Sequence, residues 1–376
     1  MRSLAPRRIA VAVTALSAAA ALGIGTPLAA AAPASTPGWR IFRLVSQDRY
    51  RNLLGLVANG PQDAWAFGDG PKAPIAVRWN GSTWTGSLMP GANARPEQVS
   101  STGHRNVWAS GHRCYGGPPD PPGNSAYVAR WNGSRWSTTS IKSMPFCSGS
   151  VVTTGPGNGW LFGTASTALH LTAHSIQKVS LGHIVQVVAS AAVSAKDVWA
   201  FGYSTSGSRG VTLHWNGSTW RSVPLPKLSL SAGEYLTFMG AVAVSSSDVW
   251  ATAVAAPGPL TSVLLHWNGT AWHRIVVPST DDLYKITTDG HGGVWILGYN
   301  RSASTYTFLH DSAGKWTMYP IPTNGISTPY PSSIIFNIYT IAHIPGTTSV
   351  WATGDVAYPD KQGIEHGNAV FFKYGP

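Results

Sequence analysis

Beyond residue 37 the chain is a succession of short apolar segments, each cut off by Gly, Pro, Asn or Asp, with no sustained helical periodicity. One stretch shows the unit most clearly. Val187 to Val193 is apolar on both faces, as suits an inner strand near an axis. A polar turn, Ala195-Lys196-Asp197, leads into a second strand, Val198-Trp199-Ala200-Phe201-Gly202. After a variable loop come a third strand, Leu213-His214-Trp215, an Asn216-Gly217 turn, and a fourth strand from Trp220 toward Pro224. Asn-Gly predicts a two-residue type I′ hairpin, which needs positive φ at both central positions. Trp215 and Trp220 are then expected diagonally on one face, where aromatic rings can meet.

The same unit recurs along the chain. Asp63-Ala64-Trp65-Ala66-Phe67-Gly68 is followed by Trp79-Asn80-Gly81-Ser82-Thr83-Trp84, and Asn106-Val107-Trp108-Ala109 by Trp131-Asn132-Gly133-Ser134-Arg135-Trp136. Asp248-Val249-Trp250-Ala251 precedes Leu265-His266-Trp267-Asn268-Gly269-Thr270-Ala271-Trp272. Three copies are degraded. One has Trp160 but Leu171 and Ile176 in place of the later Trp pair; one has Trp295 and Trp316 with Asp311 at the middle position; the last has Trp351 and ends at Pro376. The leading tryptophans, Trp65, Trp108, Trp160, Trp199, Trp250, Trp295 and Trp351, recur about every 48 residues, a propeller-blade period. All 17 Trp fall on repeat positions.

The two ends of this array complement each other. The last copy lacks a Trp-bearing fourth strand, and Gly38-Trp39-Arg40-Ile41-Phe42-Arg43-Leu44 reads as one. Pairing the two closes the ring and leaves no open seam. The expected fold is therefore all-β: a seven-bladed β-propeller of four-stranded antiparallel blades forming a single domain over 38–376. Its blades fall approximately at 48–90, 91–143, 144–181, 182–226, 227–278, 279–322 and 323–376, the last completed by 38–45. Residues 1–34 read differently. Arg2, Arg7 and Arg8 precede an apolar stretch from Ile9 to about Leu28 and then small residues, the pattern of a secretory signal peptide cleaved near Ala32 or Ala34. The Arg7-Arg8 pair leaves a twin-arginine route open beside general secretion.

Composition agrees with this architecture. Gly 41 and Pro 27 exclude a helical bundle, while 43% hydrophobic content argues against disorder. The formal charge is +11, three units of it from the N-terminal arginines. The remaining basic residues are scattered without a stripe, so nucleic acid is not the expected partner.

Trp-Ala-x-Gly followed by His-Trp-Asn-Gly-x-x-Trp resembles the kelch-type blade, in which a Gly pair ends strand two and spaced aromatics span strands three and four. The repeats are most similar to those of secreted bacterial kelch-like propellers with Asp-Val-Trp-Ala-x-Gly motifs. A single Gly stands here where kelch blades have two, and the hairpin is shorter. The Asn-Gly-Ser-Thr-Trp turn also resembles the sialidase Asp-box, without its Asp-x-Gly spacing.

Candidate chemistry is sparse. Cys114 and Cys147 lie in loops expected on the same propeller face, and two cysteines in an exported chain predict one structural disulfide. His170, His214, His266 and His310 share the repeat position of Arg78 and Arg130. Equivalent positions are spread around a ring and cannot converge on one ion, so neither a metal nor another cofactor is expected. Asp63, Asp197, Asp248 and Asp289 sit in inner-hairpin turns. By contrast, Asp48, Glu97, Glu234, Asp281 and Asp282 fall in the connections entering inner strands, with Tyr50, Arg51, Arg95, His183, Tyr235, Tyr284, Lys285 and Tyr339. From these, Tyr50, Arg51, Glu97, Glu234, Tyr235, Asp281, Asp282, Tyr284 and Tyr339 make up the expected ligand-binding rim.

These features predict a secreted, monomeric, non-catalytic protein that binds an extracellular glycan or protein through one propeller face. It would make no membrane contact once its leader is removed. The alternatives are a carbohydrate-active hydrolase or lyase, with Glu234 and Asp281 or Asp282 as its carboxyl pair, and a cell-envelope structural protein.

Overall fold

The computed structural model describes residues 37–89, 94–113, 125–141, 150–163, 166–182, 184–204, 210–230, 233–256, 261–279 and 282–376. Its strands form seven four-stranded antiparallel sheets, the blades of a propeller. Blade four shows the plan: Ile184–Ser194, Asp197–Ser204, Gly210–Trp215 and Trp220–Val223, each pairing with the next. In blade seven the strand Trp39–Ser46 pairs with Glu365–Tyr374, from Trp39 opposite Tyr374 to Ser46 opposite Asn368. The N-terminal strand thus closes the ring, as the sequence predicts.

The turns differ from the type I′ expectation. Trp215 pairs directly with Trp220 and the loop between them is closed by Asn216 N–H donating to Thr219 O at 3.3 Å. Only Gly217 has positive φ, at 96°, and Asn216 does not. Positive φ at Gly217 alone excludes type I′, which needs it at both central residues. Asn216 sits one place earlier and spends its side chain on the turn: Oδ1 accepts from Ser218 N–H and Thr219 N–H, each at 3.0 Å. Asn80, Asn132 and Asn268 do the same. The two Trp rings therefore lie directly opposite each other, with centroids 5.7 Å apart, rather than diagonally.

Blades have no core of their own and pack through the tryptophans. The leading Trp of one blade inserts against the Trp pair of the next. Trp65 meets Trp131 at 5.0 Å and Trp136 at 5.3 Å, Trp199 meets Trp267 at 5.1 Å and Trp272 at 5.3 Å, and Trp351 meets Trp79 and Trp84 across the closure. Each such pair contributes about 0.5–1.5 kcal/mol beyond simple burial. Blade three substitutes Leu171 and Ile176 in the same cross-strand register, and Leu169 and Leu171 cover Trp108 instead.

Every leading Trp also carries a basic or imidazole group on its ring. Arg78 lies over Trp65, Arg130 over Trp108 and Lys373 over Trp351, while His170, His214, His266 and His310 stack on Trp160, Trp199, Trp250 and Trp295. The turn acids orient these groups: Arg78 donates to Asp63 at 2.9 Å, and His214, His266 and His310 hydrogen-bond Asp197, Asp248 and Asp289. The repeated histidines thus belong to the scaffold.

Candidate functional site

The opposite end of the propeller, where each first strand enters, lacks this regularity. In blades one, two, four, five, six and seven the register of the first strand slips near its entry. The residues falling out of the ladder include Asn52 to Leu54, Glu97, Val188, Met239, Tyr284 with Lys285, and Tyr339. Such bulges re-aim side chains that alternation would otherwise dictate. The single Gly ending strand two fits this displaced backbone. A Cβ on Gly68 would sit 2.6 Å from the Arg51 carbonyl oxygen, and at Gly111, Gly202 and Gly354 it would press closer still on the carbonyls of Arg95, Gln186 and Asn337.

Two neighbourhoods result. Across blades seven, one and two runs a polar network. Tyr339 Oη donates to Asp355 Oδ2 at 3.0 Å, and Asn52 N–H donates to the same oxygen at 3.2 Å. Asn52, at φ 51°, uses its Nδ2 to reach Asp69 Oδ2 at 3.0 Å. Arg95 lies 3.4 Å from that oxygen and 3.6 Å from Glu97. Asp355 is buried, and its Oδ1 has no hydrogen-bond partner among the described residues. Burial pushes its carboxyl above the usual range, the Asp69 charge adds to this, and the bonds from Tyr339 and Asn52 with the Arg95 charge only partly offset it. Tyr339 is raised in turn, by burial first and then by Asp355.

From blade four round to blade six the same end is aromatic. Tyr284, Tyr299 and Tyr306 make tilted ring contacts in sequence, with centroids 6.3 and 4.8 Å apart, and all three are half-buried. Burial and the neighbouring Asp282 charge raise the Tyr284 phenol. Tyr203 donates to Gln186, and with Tyr235 it extends the half-buried tyrosines into blades four and five.

The expected rim residues divide among these surroundings. Glu97 and Tyr339 join the polar network, and Tyr235 and Tyr284 the aromatic sector. Arg51 is exposed opposite Asp69 in the ladder. Asp282 is buried and ion-paired with Arg301. Glu234 is half-buried just before the strand that Tyr235 opens. Tyr50 is taken up by the interior: it is 9% exposed and its Oη accepts from Gly86 N–H at 2.9 Å. Asp281, Cys114 and Cys147 lie outside the described residues, and so does the expected leader. Sequence reasoning passed over Asn52, Asp69, Asp355, Tyr299 and Tyr306; the repeat glycine was the available signal, since it marks where the neighbouring strand bulges. Among the described residues no three His, Cys, Asp or Glu side chains gather as metal ligands.

Solved structures share this architecture. A GH74 xyloglucanase from Xanthomonas campestris superposes with a TM-score of 0.55 at 11% identity, over 88% of this chain and 55% of that one. YCF48 bound to a D1 peptide gives 0.52 at 14% identity, over 90% and 97%. SapL1 lectin in complex with alpha methyl fucoside gives 0.50 at 14% identity, over 74% and 99%. These likenesses establish the fold. No protein-family model matches the sequence, and no curated protein does.

Proposed function

We propose that this chain is an exported kelch-like propeller that binds a glycan at its strand-entry end without transforming it. The observation that carries this reading is the adjacency at that end of half-buried tyrosines and a carboxylate–amide–guanidinium network. Sugar rings present apolar faces suited to tyrosine and hydroxyls suited to Asp69, Asn52 and Arg95. Propellers of similar fold solved with a sugar or a peptide ligand support a glycan or a protein partner. The leader-like residues 1–34 support secretion, and the Cys114–Cys147 disulfide and a monomeric state go with it.

Retention of the purified chain on insoluble polysaccharides across a salt series tests the reading. Saturable, salt-resistant binding should fall about tenfold in Tyr284→Ala and in Asp69→Asn, the scale of one lost stacking or charged hydrogen-bond contact. Retention of both variants at the wild-type level, or binding that only fades with salt, rejects it.

One observation favours a hydrolase as the second reading. Asp355, raised by burial, and Asp69 hang on the same Asn52, and two carboxyls in unlike environments are the raw material of acid–base cleavage. Sugars released by the wild type and not by Asp355→Asn would put this reading first.

A further inference from the structure

Residues in or beside the first strand of every blade line a cavity of about 170 Å³ on the propeller axis. Its wall is mostly aliphatic side chains and backbone, with Gln98, Ser150, Ser190 and Thr340 as the uncharged polar members. Two lining residues are ionisable, Glu97 and Lys285. Glu97 has Arg95 beside it at 3.6 Å. Lys285 is different. The blade-six bulge turns it to the axis, its Nζ donates to Met239 O over a long 3.4 Å, and it forms no ion pair among the described residues. The cavity-lining residues of the two adjacent first strands, Met239, Gly240 and Ala241 on one side and Thr340 and Ile341 on the other, bring no charge.

Lys285 is half-buried; an ammonium partly withdrawn from water without a counter-charge is disfavoured, and burial accordingly pushes Lys285 below its usual range. A permanent structural role would be served by a carboxylate facing the ammonium, or by an apolar residue in its place. We propose that the axial cavity is a binding site for one monovalent anion of halide or carboxylate size, with Lys285 as its counter-charge. One unpaired cation matches one negative charge. The space exceeds several waters at about 30 Å³ each, so the ion can retain part of its hydration. Tyr284, adjacent in sequence, belongs to the strand-entry aromatic sector. The anion is therefore either a free ion resident on the axis or the carboxylate of an acidic sugar; the second source rests on the glycan reading above, the first does not.

The test titrates the full chain calorimetrically with formate, chloride and glucuronate, with sodium methanesulfonate holding ionic strength constant, alongside thermal unfolding. The expected result is saturable one-site binding of formate or chloride that raises the unfolding temperature. Lys285→Met should bind at least about tenfold more weakly, the cost of removing a charged hydrogen-bond donor. In methanesulfonate alone it should unfold no earlier than wild type, because an uncompensated charge has been removed. Lys285→Gln, which keeps a donor, provides the same comparison if the Met variant folds poorly. Glucuronate displacing formate assigns the carboxylate of a sugar; formate or chloride binding without glucuronate assigns a resident ion. Absence of saturable binding by wild type, or undiminished binding by the variants, overturns the proposal. Retention of neutral polysaccharide by Lys285→Met reads the glycan site separately, so the two readings fail independently.

Discussion

The two ends of this propeller are built on opposite rules. At the turn end each leading Trp carries Arg, His or Lys on its ring, and each Asn-Gly hairpin is tied by its own asparagine. At the strand-entry end the ladders slip at different points, and the side chains released there vary from blade to blade, among them Asn52, Glu97, Val188, Met239, Lys285 and Tyr339. Repetition serves stability because each blade must offer an apolar socket to its neighbour's Trp, a Trp pair in blades one, two, four and five. Recognition needs unlike groups on one surface, and the rigid end permits that variety at the other.

Substitutions at the two ends should therefore separate stability from binding. Trp199→Ala removes a ring clasped by Trp267 and Trp272 and should cost about 3–5 kcal/mol in denaturant unfolding. Tyr284→Ala, half-buried at the entry end, should stay within about 1 kcal/mol while weakening glycan retention. A Tyr284 variant as unstable as the Trp199 variant would erase the distinction.

Two glycines probe the same contrast on a smaller scale. Gly202→Ala drives a Cβ into the Gln186 carbonyl at the bulge, where backbone must move, and should cost about 1–3 kcal/mol. Gly217→Ala meets chiefly the Lys196 side chain, which can swing aside, and pays about 1 kcal/mol for its positive φ. The reverse order in paired melts would mean that the bulges are soft.

The smallest effects are acid-dependent and belong to the turn end. Burial alone would raise Asp289, but hydrogen bonds from His291 N–H, His310 and Gly293 N–H outweigh it and hold the carboxyl below its usual range. Its contribution is full above the unfolded value, about 3.9, and is lost as pH falls through the lower folded value. His170, lowered by burial, has the neutral Asn158 as partner where its counterparts have Asp. The unfolded chain takes up this proton first, so stability declines as pH drops from about 6.5 toward the folded value. Asn158→Asp should raise His170 and shrink that decline, by less than about 1 kcal/mol for so accessible a pair. An unchanged pH profile of unfolding in this variant would show that Asn158 does not set the imidazole.

Most of the scaffold was legible. The Trp period located the blades, the missing last strand located its N-terminal replacement, and the Leu171/Ile176 substitution kept the register of the Trp pair. The hairpin type was misread because the dipeptide Asn-Gly gives no indication of which residue occupies the first central position. The site was only half legible. Glu97, Tyr235, Tyr284 and Tyr339 stood out as polar or aromatic residues at strand entries, but Tyr50, identical by that criterion, folds over Gly86 into the interior. Asp69 and Asp355 looked like ordinary strand-two ends, and became neighbours only because Asn52 joins blade seven to blade one.

By itself, the sequence determined the number of blades, their order, the closure and the residues that hold neighbouring blades together. Those depend on local patterns repeated at a regular period, and each repeat meets the same environment. Tertiary structure alone decided which side chains face the mouth and the axis. A bulge shifts a strand's side chains by one position, and where it falls is settled by pairing with the neighbouring strand, whose terminal glycine lets the displaced backbone approach.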